Sequence, residues 1–276
     1  MKKLILLVLL IIIVVSGRQL VEIFSSYQIT TTYYEIIQET YRTVVEPNIT
    51  ISPTKEEPNV TLSPTKKTAS KKSKTQKSNK VRAHSTRLRP PITVDFPALK
   101  AVNSDVIGWL YSEGTPIDYP VLHSSNNNKY IHKLLNGEYS VNGSIFLDSR
   151  CKSNFKNDNS ILYGHHMRNG SMFASLNNYK TQDYYNEHSQ LWLLTPKRSY
   201  LLLPFSAMVV STNSLYYKTD IQDKQVFIDK AINNSFFIPN TIPNVADRFI
   251  TLSTCDYTFD NARLIVVCIL VTTSNI

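Results

Sequence analysis

Thr251-Leu252-Ser253-Thr254-Cys255, followed at a short interval by Arg263-Leu264-Ile265-Val266-Val267-Cys268-Ile269-Leu270-Val271, is the stretch on which the reading of this chain turns. With the period of two expected of a strand, Thr251, Ser253 and Cys255 share one face while Leu252 and Thr254 share the other. The thiol of Cys255 therefore falls at the end of a strand, on its rim. Residues 256–262 are enough for the chain to turn and come back, so Arg263 opens a neighbouring strand close to the same rim. Well upstream, Tyr163-Gly164-His165 closes another apolar stretch and can carry an imidazole to that end of a sheet.

A free cysteine is mostly thiol at neutral pH and the thiolate is the competent nucleophile, so Cys255 needs a basic or cationic neighbour. His165 suits that part, first as base and later as the acid that protonates a departing amine. Arg263 is permanently charged and rich in fixed donors, which suits the oxyanion of a tetrahedral intermediate. His166 competes with His165, but in an extended chain the two side chains face opposite ways and only one can point at the thiol. His84, His123, His132 and His188 lie in polar surroundings or in a basic segment and read as surface residues. Three cysteines are an odd number, which argues against a disulfide framework. Cys268, inside the apolar run, reads as a packing residue and Cys151, in a polar loop, as incidental. No carboxylate cluster or His/Cys ligand spacing calls for a metal, and no cofactor is expected.

Outward from this pair of strands, the chain from residue 91 alternates apolar and polar segments broken by Asn, Asp and Gly. The pattern predicts a short helix over 96–102 and strands over 106–111, 118–122, 144–147, 160–163, 191–194, 200–210, 249–254 and 263–271. The fold class is mainly β with peripheral helices, a barrel or a sandwich. Thr219-Asp220-Ile221-Gln222 reads as a capping box that starts a helix through residue 232, a candidate wall for a groove.

The first residues are of another kind. Lys2-Lys3 precede an uninterrupted apolar run over 4–15, and Leu20, Val21, Ile23 and Phe24 extend the apolar character beyond Arg18. Ser16-Gly17-Arg18 is a poor cleavage site, so residues 1–25 read as an uncleaved anchor with a cytoplasmic N-terminus and everything after it exported. Residues 26–90 read as an extracellular basic linker. Within it, Glu46-Pro47-Asn48-Ile49-Thr50 nearly recurs as Glu57-Pro58-Asn59-Val60-Thr61, too rich in Pro and Thr to pack. Residues 55–89 hold eleven Lys or Arg against two Glu, a surplus that accounts for the whole chain's net +9. Such an arm is either a solvated coil or a cationic tether for anionic headgroups and wall polymers. It has no interleaved aromatics, which argues against nucleic acid.

Tyr163-Gly164-His165-His166-Met167, Thr251-Leu252-Ser253-Thr254-Cys255 and Arg263 resemble the signature of sortases, and 96–276 as a whole resembles class B. Asp105-Val106-Ile107-Gly108-Trp109-Leu110, Ile117-Asp118-Tyr119-Pro120-Val121 and Gly143-Ser144-Ile145-Phe146-Leu147-Asp148 fit the same family. The resemblance implies an eight-stranded sortase-type β-barrel over 91–276, with an N-terminal helix and a helix between the sixth and seventh strands. It implies Cys255 as nucleophile, His165 as its catalytic partner, Arg263 at the oxyanion, and Ser253 and Tyr163 lining the substrate groove. The implied reaction is transpeptidation. Cys255 attacks the Thr carbonyl of an Asn-Pro-x-Thr or Pro-Pro-x-Thr sorting motif in an exported protein, and a peptidoglycan-precursor amine resolves the thioester. Asp256 stands where some class B members carry Glu, so contacts of that loop are not transferred. Competing readings are a wall-directed cysteine peptidase or amidase that uses water, which the His-before-Cys order disfavours, and a non-catalytic wall-binding protein.

Overall fold

The computed structural model describes residues 2–45 and 89–273. In chain order these form α1 (Lys2–Tyr41), β1 (Arg42–Val44), β2 (Ile92–Val94), α2 (Phe96–Val102), β3 (Val106–Tyr111), β4 (Asp118–His123), β5 (Ile145–Leu147), β6 (Asn159–Tyr163), a 3-10 helix (Ala174–Lys180), α3 (Gln182–Glu187), β7 (Leu191–Leu194), β8 (Ser199–Ser211), a second 3-10 turn (Leu215–Tyr217), α4 (Lys224–Asn233), β9 (Phe249–Cys255) and β10 (Ala262–Thr272). Strands β3 to β10 close into an eight-stranded barrel in the order β10-β8-β7-β3-β4-β5-β6-β9. Two neighbouring pairs in it are parallel, β4 with β5 and β6 with β9. A helix, α4, lies between the sixth and seventh barrel strands, as the resemblance implies.

Alternation along the strands sorts the core. Ile250, Leu252, Leu264, Val266 and Cys268 join one buried cluster with Leu110 and Leu162, whereas Phe249, Ile265 and Val267 pack in another with Phe227 and Ile228 of α4. Neighbours along one strand thus go to opposite faces, which is what seats a closed barrel between an inner core and outer helices. Asp95 caps α2, its side chain accepting from Ala98 N at 3.0 Å, and Pro97 sits in the first turn where its missing N–H costs nothing.

Two expectations need correction. The capping box at Thr219 does not form; α4 starts at Lys224 behind Asp223, whose side chain accepts from Val226 N at 3.0 Å. Ile221 N is instead held by Asp158 Oδ2 at 3.1 Å, which keeps the preceding residues out of the helix. The linker expected from residue 26 is, up to residue 44, helix and strand. Residues 26–41 continue α1, with Thr30, Tyr34 and Ile37 buried against the barrel. Tyr34 donates to Gly143 O at 2.7 Å, and Gln38 Nε2 to Asp118 O at 2.8 Å. Arg42 Nε lies 3.0 Å from Asp118 Oδ2, a contact of charge rather than an aligned hydrogen bond. β1 then pairs antiparallel with β2, and Val45 N donates to Pro91 O at 2.7 Å. The duplicated motif and most of the basic run lie outside the described residues.

Burial of α1's second half makes it part of the barrel's support. Tyr34 is only 4% exposed, and Tyr34→Ala should lower stability by about 3 kcal/mol, the usual cost of removing a buried aromatic side chain. In thermal melts, a fragment beginning at residue 26 should unfold at a higher temperature than one beginning at residue 90. Equal midpoints would show that α1 adds nothing to the domain.

Candidate active site

Pairing on both sides of β9 builds the site. On one side β9 and β10 run antiparallel without a register shift, and Arg263 falls opposite Cys255. On the other, β6 runs parallel and places Tyr163 opposite Ser253, with Gly164 N donating to Ser253 O at 3.1 Å. Two residues further along each of these strands stand His165 and Cys255, so the register that joins Tyr163 to Ser253 also carries the imidazole toward the thiol. Gly164 is required between them: a Cβ there would lie 2.5 Å from Ile145 Cδ1 and 2.7 Å from the Phe173 ring.

Cys255, His165, Arg263, Ser253 and Tyr163 all line one open cavity of about 440 Å³. These five residues are therefore brought to one place, and His166 is not among the residues lining it. Cys255, His165 and Arg263 are half-buried, with the sulfur neither sealed away nor fully exposed. Cys151 and Cys268 are buried, and burial pushes the Cys151 thiol up to about 11 and that of Cys268 up as well. A thiol held in its neutral form among apolar side chains is a poor nucleophile.

Burial pushes the pKa of His165 down. The hydrogen bond to a backbone carbonyl opposes this, and the nearby His132, stacked at 5.4 Å between ring centroids, adds to it. That carbonyl is Ile131 O, 2.8 Å from His165 Nε2. A carbonyl only accepts, so Nε2 carries the proton and the basic lone pair of the neutral ring lies on Nδ1. His166 points elsewhere, as the alternation predicts, and its Nδ1 donates to the backbone carbonyl of Cys255 at 2.8 Å. It holds the end of β9 by its main chain.

The cavity has walls that sequence reasoning missed. Tyr217, from the 3-10 turn, shares a 2.8 Å hydrogen bond with Ser253 Oγ and stacks on Tyr163 at 6.4 Å. Thr212 and Tyr217 thus line the side where α4 was expected, and α4 itself faces the core with Phe227, Ile228 and Ala231. Arg150 lines the cavity too. Its guanidinium forks onto the fully buried Asp148, Nε to Oδ1 at 2.9 Å and an Nη to Oδ2 at 2.8 Å, and Tyr163 donates to the same Oδ2 at 2.8 Å. Burial by itself would raise the Asp148 carboxyl; these donors more than offset it and hold its pKa below the ordinary range. Nothing in the local sequence announces Tyr217, whereas Arg150 stands two residues past the 143–148 motif.

The sortase domain family model matches residues 111–271. Sortase B of Staphylococcus aureus (strain NCTC 8325 / PS 47) is 35% identical over 189 residues, covering 67% of this chain and 76% of that protein. The chain is a class B sortase. Sortase B of Listeria monocytogenes serovar 1/2a is 33% identical over 177 residues, 63% of this chain and 72% of its own. Among solved structures, S. aureus sortase B at 2.0 Å superposes with a TM-score of 0.62 at 33% identity, covering 65% of this chain and 87% of that one. An S. aureus sortase B–substrate complex gives a TM-score of 0.61 at the same identity, with 65% and 85% covered. This sortase is accordingly a cysteine transpeptidase of the cell-wall-anchoring kind.

Directly after Cys255, Asp256 anchors the loop that returns to Arg263. Its Oδ2 meets Lys180 Nζ at 2.8 Å and its Oδ1 accepts from Thr258 N at 2.9 Å and from the Thr258 hydroxyl. Burial acts to raise this carboxyl, but Lys180 and Thr258 outweigh it and bring the pKa down to about 2. A carboxylate whose pKa is lowered on folding stabilises the fold above its unfolded value, and that contribution fades as pH falls toward the folded one. Asp256→Asn should therefore cost about 1–2 kcal/mol at neutral pH. The wild-type advantage in denaturant titrations should shrink between about pH 4 and pH 2. A deficit independent of pH would contradict this.

Proposed function

We propose that Cys255 is the nucleophile of this sortase, with His165 as its proton partner and Arg263 as the oxyanion donor. The observation that carries the reading is their convergence on one open cavity, with Arg263 in register opposite Cys255. Burial favours neutral His165, and Ile131 O fixes its proton on Nε2. Nδ1 then takes the thiol proton as sulfur attacks a peptide carbonyl. Negative charge that develops on the carbonyl oxygen meets the guanidinium of Arg263, a permanent cation lining the cavity whose Nη1 donates to Ala262 O at 2.8 Å. Collapse of the intermediate expels an amine, which takes the proton from His165 and leaves a thioester on Cys255. An incoming amine, deprotonated by His165, resolves the thioester and frees the thiol.

Tyr163, Ser253 and Tyr217 form an aromatic and hydroxyl wall along which an extended peptide lies. The substrate is a C-terminal sorting motif of the Asn-Pro-x-Thr or Pro-Pro-x-Thr type in an exported protein, cleaved after Thr. The acceptor is an amine of a peptidoglycan precursor. The apolar N-terminal part of α1 anchors the chain in the cell membrane, single-pass, with the barrel facing the wall. The length and apolar composition of the helix, with the side chains of Ile5 and Ile11–Val15 unburied, support the anchor.

Cleavage of quenched fluorescent sorting peptides, with mass spectrometry of the enzyme, tests the assignment. Cys255→Ala should abolish both cleavage and the covalent adduct. His165→Ala should lower turnover by about 10²–10⁴-fold, and Arg263→Ala by about 10²–10³-fold. His166→Asn should keep most activity, since its amide can still donate to the Cys255 carbonyl. An active His165→Ala beside an inactive His166→Asn would reverse the histidine assignment.

A further inference from the structure

We infer that α1 seats the barrel directly on the bilayer, with the loop over 132–144 turned toward the headgroups, and that α1, not the basic segment after β1, is the tether. The inference rests on the membrane-anchor reading above and deepens it.

Three observations carry it. First, α1 is continuous from Lys2 to Tyr41. Its mainly apolar stretch, 4–24, interrupted by Arg18, Gln19 and Glu22 toward its outer end, spans about 31 Å at 1.5 Å per residue, close to the ~30 Å hydrocarbon thickness. Tyr27 already packs against the barrel's core cluster, so between the bilayer-length stretch and the first barrel contact almost no helix is left to act as a spacer. Second, the contacts of α1 with the barrel move toward one loop as the helix nears the bilayer. Gln38 holds Asp118, Tyr34 holds Gly143 and Ser144, Tyr33 OH accepts from Asn136 N at 3.1 Å, and Thr30 shares a 2.8 Å hydrogen bond with Ser140. The last of these lies beside Tyr139, which is 74% exposed. Tyrosine is a residue that favours the membrane–water interface. Third, Val45 and Pro91 are hydrogen-bonded and β1 pairs with β2, so the chain between them leaves and returns at one point and cannot set the distance from helix to barrel.

The geometry also says which part of the enzyme meets the lipid. Tyr139 lies 5.8 Å from the His132 ring, and His132 stacks on His165. The histidine side of the cleft is then the side closest to the membrane. This suits polypeptides still held in the bilayer with their cleavage motif close above it.

Fluorescence of the full chain in phosphatidylglycerol-containing vesicles tests this. Tyr139→Trp places an indole at the proposed contact, while Trp109 and Trp192 are buried in the barrel. Lipids brominated near the headgroup should quench the introduced indole and spare the native pair. Inserting a flexible Gly/Ser segment between Phe24 and Ser25 should abolish that quenching. Replacing 46–88 by a short Asn-Gly turn should leave it unchanged. A chain that floats with the vesicles but shows no quenching, or that loses it only when 46–88 is replaced, overturns the seating and leaves the anchor intact. A chain that does not float overturns both.

Discussion

Strand β9 is hydrogen-bonded on both edges, parallel to β6 and antiparallel to β10, and the register of those two ladders decides where the chemistry can occur. A slip of one residue against either neighbour would turn every side chain of β9 to the other face. Cys255 would then point with Thr251 and Ser253 into the barrel interior, and the Tyr163–Ser253 pair would be lost. Apolar alternation guards against the slip, because Ile250 and Leu252 belong to the inner cluster and a shift would exchange them for Thr251 and Ser253. The buried Thr251 hydroxyl adds a polar check by donating to Asn159 Oδ1 on β6 at 2.8 Å.

On this frame the polar groups divide into those that hold and those that face the cleft. Asp256 with Lys180, and His166 with the Cys255 carbonyl, fix the main chain on either side of the thiol. Asp148 gathers Arg150 and Tyr163 into one wall. The carbonyl of Ile131 holds the proton of His165 on Nε2 and leaves Nδ1 as the basic nitrogen of the neutral ring.

Much of this was legible in the sequence because it follows from period and spacing. The barrel strands fall within a residue or so of their expected limits, and the reach from Cys255 to Arg263 is set by a short turn. What was not legible depends on tertiary partners. The stretch over 26–41 is rich in Thr and Tyr, weak helix formers that read as a polar spacer, and burial against the barrel overrides that preference. A helical signal was present in Tyr27, Tyr34, Ile37 and Tyr41, at spacings of three, four and seven. Tyr217 enters the cleft because its 3-10 turn packs beside β9, which no local pattern reports. The capping box at Thr219 failed for a similar reason, since Asp158 claims the backbone that would have begun the helix.

The central claim is that the ladders bring His165 into proton contact with Cys255. The pH dependence of alkylation of Cys255 by iodoacetamide, followed by intact mass, measures that contact without any assumption about the natural substrate. The account predicts that His165→Ala displaces the profile while His166→Asn leaves it in place. Superimposable profiles for the wild type and His165→Ala would contradict it.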